Sequence, residues 1–301
     1  MKTSFPKQLC FLGCAGALLL SAGTQQRADE SFKSGTLAYH LSTNAIGRAA
    51  GHAGGYNDML VAVTLFSSRL TRFADAAWLR TCWLKDVQGL SATPIGFSNV
   101  LGGQGLPTMV SPRHYLCATH MHPEGYLIAF LDTNNLIYWR KTLQRVDVGA
   151  DTSAGILDAD LPPSVGFLPV LPANFTNYLP TTASNLVQGI GMNQDLCLFG
   201  QPMTFGNRSF ISWDSSKAVP FGLTTNWNVT LRGGDSSNPD MLLIGNQLVL
   251  VSHNSYVEGG PNYASQIPAI NRSLHLLSTN NQAGSDYQLT EFPLTNWPVI
   301  H

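Results

Sequence analysis

The segment Gly234-Asp235-Ser236-Ser237-Asn238-Pro239 leads directly into the apolar stretch Asp240–Ser252, which has the pattern of a buried β-hairpin. A serine between an aspartate and small residues, just ahead of a buried strand, suits a nucleophile held on a tight turn. Acyl transfer requires such a hydroxyl in a cleft, with backbone N–H groups directed at the developing oxyanion. Gly234 lets the backbone turn so that its own N–H and that of Ser236 converge. The segment therefore predicts a nucleophile-bearing turn.

A second segment, Ser111–His120, supplies the base that such a serine needs. It is apolar, alternates like a β-strand and ends in Ala118-Thr119-His120. Between the two segments, Asp151 begins another short apolar run. Serine-type hydrolysis requires a nucleophile, a base within hydrogen-bond reach and a carboxylate that fixes the tautomer of the base. The chain supplies these in the order His120, Asp151, Ser236.

The remainder of the chain has the pattern of an all-β protein. Short apolar runs alternate with turn residues, and the composition includes 28 Gly and 17 Pro. Gly125–Asp132 and Leu136–Gln144 flank Thr133-Asn134-Asn135, which predicts a hairpin. Near the end, Ile267–Leu277 carries apolar residues at helical spacing and predicts a late helix.

From about Trp78 onward, these motifs and their order resemble the chymotrypsin/trypsin-like serine peptidases, closest to the divergent secreted bacterial type. The resemblance implies two six-stranded antiparallel β-barrels, the first over residues 78–165 and the second, with the late helix and a tail, over 166–301. The proline-rich stretch Leu161–Pro180 is the expected linker between them. Residues 24–77 form an N-terminal extension whose pattern does not decide between strand and helix.

The resemblance also assigns roles. It implies His120 as general base, Asp151 as its orienting carboxylate, Ser236 as nucleophile, and the N–H groups of Gly234 and Ser236 as the oxyanion hole. For substrate binding it implies Thr230 at the base of the primary pocket and a strand that lines it, Ser252, His253 and Asn254. Because Thr230 carries no charge, we expect an uncharged substrate side chain there. The chain departs from the family where Ser237-Asn238 replaces Gly-Gly.

Other assignments of the same residues remain open. Three further carboxylates, Asp147, Asp158 and Asp160, lie close enough to Asp151 in sequence to take its place. His120, His122 and Glu124 alternate and would share one face of an extended strand, which could bind zinc in a metal-dependent hydrolase. A third possibility is a catalytically inactive binding module that kept the peptidase fold. The serine mechanism implies neither a metal nor an organic cofactor.

The N-terminal residues indicate an exported protein, and the peptidase resemblance implies protein or peptide substrates. Residues 1–23 have a positive start, an apolar core Leu9–Leu20 and small residues for cleavage, as in a signal peptide. We therefore expect a secreted, periplasmic or cell-surface location with no membrane association after cleavage. With 12% charged residues and a formal net charge of −1, the chain offers no basic patch for nucleic acid.

Three cysteines, Cys82, Cys117 and Cys197, follow the predicted signal peptide. An odd number allows at most one internal disulfide, and Cys82 with Cys197 is a possible pair. Cys117 lies in the apolar run before His120 and is expected to be a buried, inert thiol.

Overall fold

The computed structural model describes residues 32–52, 61–62, 73–98, 100–121, 123–180, 186–205, 209–256 and 259–300. Within these ranges the protein is mostly β, with two large antiparallel sheets, a two-stranded ribbon of β1 (Val61–Ala62) and β2 (Ala77–Trp78), and two α-helices. The expected all-β class is confirmed. The predicted signal peptide lies outside the described residues, and no described helix is long and apolar enough to span a membrane.

The first sheet has seven strands, one more than expected, in the order β4-β3-β7-β8-β9-β6-β5. They are β3 (Gly96–Phe97), β4 (Val100–Leu101), β5 (Thr108–Met109), β6 (His114–Ala118), β7 (Leu127–Leu131), β8 (Ile137–Gly149) and β9 (Thr152–Leu157). The predicted hairpin is β7–β8. Its turn is organised by Asp132, whose Oδ1 accepts from the N–H groups of Asn134 at 2.8 Å and Leu136 at 2.7 Å.

The second sheet has six strands in the order β14-β13-β10-β11-β12-β15. They are β10 (Val187–Met192), β11 (Leu198–Thr204), β12 (Phe210–Trp213), β13 (Pro239–Ile244), β14 (Gln247–His253) and β15 (Gly259–Pro261). The expected hairpin after Ser236 is β13–β14, and a register shift interrupts its pairing between Asp240 and Met241. This irregularity lies where the strand leaves the nucleophile turn.

Each helix packs against the sheet that is farther from it in sequence. Helix α1 (Leu37–Ala49) begins at Thr36, whose hydroxyl accepts from the Tyr39 N–H, and it packs on β10 and β13 of the second sheet. Helix α2 (Ile267–Asn280) is the predicted late helix, and it packs on β8 and β9 of the first sheet. The N-terminal extension therefore contributes a helix to the second sheet, and the C-terminal helix covers the first.

One hydrophobic core joins both sheets. It includes Leu116 of β6, Ile156 of β9, Ile190 of β10, Leu250 of β14 and Leu274 of α2. A second cluster fills the space between the second sheet and α1. Because apolar side chains of both sheets share one buried cluster, the sheets are held at a fixed relative position, as a site built from both of them requires.

Candidate active site

His120 lies just beyond the end of β6, where the first sheet meets the second. Strand β6 pairs with β9, and Ala118 is opposite Thr152. Beyond this pair, the Thr119 N–H donates to the Asp151 carbonyl oxygen at 2.8 Å, and the His120 N–H donates to Asp151 Oδ1 at 3.2 Å. Two backbone donors from the β6 end therefore position Asp151 next to the imidazole.

Asp151 occupies the turn between β8 and β9, and its backbone is left-handed. Its φ is +60°, and that of the preceding Ala150 is +50°, in a region that residues other than glycine seldom adopt. Each such residue costs on the order of 1–3 kcal/mol and persists only where its surroundings hold it. The conformation directs the carboxylate towards His120. Strained backbone of this kind is concentrated at functional sites.

The three predicted catalytic residues form a continuous hydrogen-bonded chain. His120 Nδ1 lies 2.8 Å from Asp151 Oδ2 and 3.0 Å from Oδ1, and His120 Nε2 lies 3.0 Å from Ser236 Oγ. Burial of the Asp151 carboxyl opposes its ionisation, but hydrogen bonds from His120 and Ser255 outweigh that effect and lower the pKa of Asp151. An ionised carboxylate on Nδ1 keeps the proton there and leaves Nε2 free to accept the serine proton.

The loop that carries Ser236 is held from within by Asp235. This carboxylate is buried, with 2% of its surface exposed, and accepts from two backbone N–H groups, Gln194 at 2.9 Å and Arg232 at 2.7 Å. Gly234 has φ +101°, a left-handed backbone angle that favours glycine, and a Cβ there would lie 2.6 Å from Cγ of the exposed Gln104 side chain. Asp235 and Gly234 therefore shape the loop that carries Ser236.

An oxyanion hole requires N–H groups that are not already hydrogen-bonded, and the N–H groups of Gly234 and Ser236 meet this requirement. The neighbouring N–H groups of Asp235, Ser237 and Asn238 donate to backbone carbonyls. Within the described ranges, those of Gly234 and Ser236 donate to no backbone carbonyl. Two unused donors on either side of the loop aspartate are available to an anionic oxygen.

Ser237, the departure from the family pattern, ties this loop to the first sheet. Its hydroxyl accepts from the Ala118 N–H at 2.9 Å and donates to the Met121 carbonyl oxygen at 3.1 Å. Both partners lie within two residues of His120. Sequence reasoning noted the unusual serine but missed this role. The replacement of glycine by serine was the signal for this role, since glycine has no side chain that could hydrogen-bond to the other sheet.

The residues predicted to bind substrate do not all lie beside Ser236. A cavity of about 330 Å³ adjoins Ser236 and is lined by Leu231, Arg232, Gly233, Asp235, Ser236, Asn254, Ser255 and Tyr256. Of the residues expected there, Asn254 lines this cavity. Thr230 is exposed and lines a separate cavity with Gln201, Trp213 and others, so the structure does not place it at the base of this pocket. Ser252 and His253 are buried and are not among its lining residues.

Ser255 and Tyr256 are the lining residues that sequence reasoning missed. Both also line a second cavity of about 610 Å³, together with His120 and Asp151. They immediately follow the three residues assigned to the substrate strand. A shift of that segment by two positions would have included them.

The competing carboxylates are engaged elsewhere. Asp147 Oδ1 accepts from the Gly149 N–H at 2.9 Å, Asp158 Oδ1 accepts from the Lys141 N–H at 3.0 Å, and Asp160 Oδ2 accepts from the Tyr287 hydroxyl at 2.7 Å. Asp151 is the one of the four that the structure hydrogen-bonds to His120 within the described ranges.

The zinc arrangement receives no support from the residues described. His122 lies outside them, and Glu124 pairs with Arg145 at 3.6 Å between Oε2 and Nε. Among the side chains that the structure places, no three of His, Cys, Asp or Glu are grouped to hold a metal ion.

The described thiols are not joined in a disulfide, and Cys82 is not bonded to Cys197. Burial raises the pKa of Cys117 to about 12 and that of Cys197 to about 11, so both are protonated at neutral pH. Cys117 is fully buried, as expected.

Comparison with known proteins identifies no family. No family model matches the chain, and no curated protein matches it significantly.

Proposed function

We propose that this protein is a secreted serine endopeptidase of the chymotrypsin-like type, with Ser236 as nucleophile. The observation that carries the proposal is the Asp151–His120–Ser236 chain, with 2.8 Å at the carboxylate end and 3.0 Å at the hydroxyl end. The first sheet supplies the base and its carboxylate, and the loop before β13 of the second supplies the nucleophile. In this proposal, the two antiparallel sheets correspond to the two β-barrels of the chymotrypsin-like fold.

Acylation begins when Ser236 Oγ attacks the scissile carbonyl carbon while His120 Nε2 accepts the hydroxyl proton. The carbonyl oxygen becomes an oxyanion and accepts from the N–H groups of Gly234 and Ser236, each such donor being worth about 3–4 kcal/mol. His120 then donates its proton to the leaving amine, the C–N bond breaks, and an acyl-enzyme remains. Water attacks the ester by the same steps in reverse and frees Ser236.

Asp151 stabilises the imidazolium that forms in each half-reaction and keeps its Nδ1–H directed away from the serine. The pKa of Asp151 is lowered, so the carboxyl is ionised throughout the neutral range. Rigid attachment matters because a misplacement of about 1 Å can cost about a hundredfold in rate. The Ser237 bridge and the shared core provide that attachment.

The cavity beside Ser236 favours an uncharged substrate side chain. Asp235 is the carboxylate among the residues that line this cavity, and both of its oxygens already accept from backbone N–H groups. Arg232, another lining residue, pairs with Asp195, which is not part of the lining. A buried substrate cation would have no counter-charge there, and its desolvation would go uncompensated. Profiling against a peptide library tests this; dominant cleavage after Lys or Arg would contradict it.

The direct test of the proposed function is labelling with an active-site fluorophosphonate. We expect the wild-type protein to be labelled at Ser236, shown by peptide mass spectrometry, and Ser236→Ala to be folded but neither labelled nor active on peptide or ester substrates. An unlabelled, folded wild-type protein would instead indicate the inactive binding module.

Two further measurements address the remaining alternatives. Activity that survives EDTA is expected; loss on chelation, restored by zinc, would favour the metal-dependent hydrolase. Export is tested by N-terminal sequencing of the protein recovered outside the cytoplasm, with cleavage expected near residue 23.

A further inference from the structure

A buried histidine lies behind the catalytic carboxylate. His253 ends β14 with 1% of its surface exposed. Its Nε2 lies 3.2 Å from the main-chain oxygen of Asp151 and 3.0 Å from Ser255 Oγ, while its Nδ1 contacts the hydroxyl of the buried Tyr263. None of these atoms takes part in the steps of the proposed reaction.

The partners of His253 determine its tautomer. Burial lowers the pKa of His253 to about 4, so the ring is neutral at and above neutral pH and carries a single N–H. A carbonyl oxygen only accepts, so the proton is on Nε2 and donates to Asp151. Nδ1 is then an acceptor, and Tyr263 donates to it, because burial raises the pKa of the phenol and keeps it protonated.

This tautomer also orients the Ser255 hydroxyl. The same Nε2–H is shared between the Asp151 carbonyl oxygen and Ser255 Oγ in a bifurcated hydrogen bond, so Oγ accepts from the ring and its own proton is directed elsewhere. An interaction with the Ser255 hydroxyl is one of the causes that lower the pKa of the Asp151 carboxyl. The bonds therefore run in one direction, from the Tyr263 hydroxyl to His253, from His253 to Ser255, and from Ser255 to the carboxylate of Asp151.

We infer that His253 is a positioning residue for Asp151, which it holds through the Ser255 hydroxyl on the carboxylate and through its own bond to the Asp151 carbonyl. The inference rests on the proposed function. Asp151 is in a left-handed conformation, which must be held by its neighbours. Its carbonyl accepts from both Thr119 and His253, one donor from each sheet. His253 thus couples the second sheet to the carboxylate of the first.

The ionisable groups around this chain of bonds are few. Asp151 and His120 act on His253, and Cys117, Asp240 and Asp151 act on Tyr263. Asp147 lines the same cavity as Asp151 and is exposed to solvent on that side. With His253 neutral, the buried charge near Tyr263 that changes around neutral pH is that of Asp240, whose pKa burial raises to about 8.

The tautomer can be measured without any activity. In ¹⁵N-labelled wild-type protein, NMR should show His253 protonated at Nε2 and unprotonated at Nδ1, with neither a gain nor a loss of a ring proton from pH 6 to 9. In Tyr263→Phe, the Nδ1 signal should shift because its donor is lost. A ring protonated at Nδ1, or one that titrates near neutral pH, would overturn the inference whether or not the protein is a hydrolase.

The catalytic consequence is tested with a pair of variants. His253→Gln can place an amide N–H near the position of Nε2, whereas His253→Leu keeps the apolar bulk and removes the donor. We expect labelling of Ser236 to slow about tenfold or more in the leucine variant and to be largely retained in the glutamine variant. The acidic limb of the rate profile should move to higher pH in the leucine variant, since a carboxylate that has lost a donor holds the imidazolium more strongly.

A role confined to packing would give the opposite order, because leucine suits a buried site better than glutamine. Thermal unfolding of both variants shows whether either result reflects lost stability. His275→Leu, on the exposed face of α2, is the control for replacing a histidine and should label like wild type. Wild-type rate and pH profile in His253→Leu would overturn this inference alone, while absent labelling of the wild type would overturn the proposed function instead.

Discussion

Replacing Ser237 with alanine should weaken both the fold and the site, because this hydroxyl joins the two sheets next to the triad. The change leaves the N–H of Ala118 without its acceptor, and Ala118 is fully buried. An unsatisfied buried donor costs about 1–3 kcal/mol. Met121 is partly exposed, so water can replace the bond to its carbonyl. We therefore expect a loss of about 2 kcal/mol in the free energy of unfolding.

A glycine variant separates the hydroxyl from the backbone. Ser237 has φ +74°, which is as unfavourable for alanine as for serine but not for glycine. Ser237→Gly loses the same two hydrogen bonds but relieves this strain, so it should be more stable than Ser237→Ala by about 1 kcal/mol. The exposed Ser215→Ala is the matched control and should change stability by less than about 0.5 kcal/mol.

Urea denaturation gives the three free energies, and the rate of fluorophosphonate labelling under fully folded conditions gives the effect on the site. We expect labelling to slow about tenfold or more in Ser237→Ala, because Ala118 and Met121 flank His120 and their displacement misaligns base and nucleophile. If Ser237→Ala unfolds within about 0.5 kcal/mol of wild type and labels at the same rate, the bridge does not hold the two sheets in register.

Three further predictions concern individual polar side chains. Asp151→Asn should leave substrate binding nearly unchanged and lower turnover about 10⁴-fold, because the imidazole would adopt the wrong tautomer. Asp158→Asn is the control and should have a mild effect in steady-state kinetics. A larger loss of turnover in Asp158→Asn than in Asp151→Asn would show that the carboxylate is wrongly assigned. Burial raises the pKa of Asp240 to about 8, so folding favours its protonated form and stability should fall as pH rises from about 4 to 8; urea titrations of Asp240→Asn should lack that fall. Both amide atoms of buried Asn254 lack a partner among the described residues, so Asn254→Leu should be more stable by about 1–3 kcal/mol, and a clear destabilisation would show that the amide is satisfied.

The local part of the fold was predictable because it depends on residues close together in the chain. The β7–β8 hairpin is determined by Asp132 and the turn residues that follow it, and α2 by the spacing of Ile270, Leu274 and Leu277. The docking of the helices was not predictable. An amphipathic face shows that a helix is buried but not which sheet covers it, and both helices pack against the sheet farther from them in sequence.

The sequence by itself indicated Ser236 on a turn ahead of a buried strand and His120 at the end of a strand, but it left four aspartates open. The structure hydrogen-bonds Asp151 to His120. Only the tertiary structure decided what surrounds them. Ser237 is hydrogen-bonded to Ala118 and Met121, which lie 119 and 116 positions away in the chain. His253 is hydrogen-bonded to Asp151, 102 positions away. Contacts at such separations leave no periodicity or spacing in the chain, because they depend on how the two sheets pack. For the same reason, Thr230, six residues before Ser236, lines a separate cavity, whereas Leu231 and Asn254 line the cavity beside Ser236.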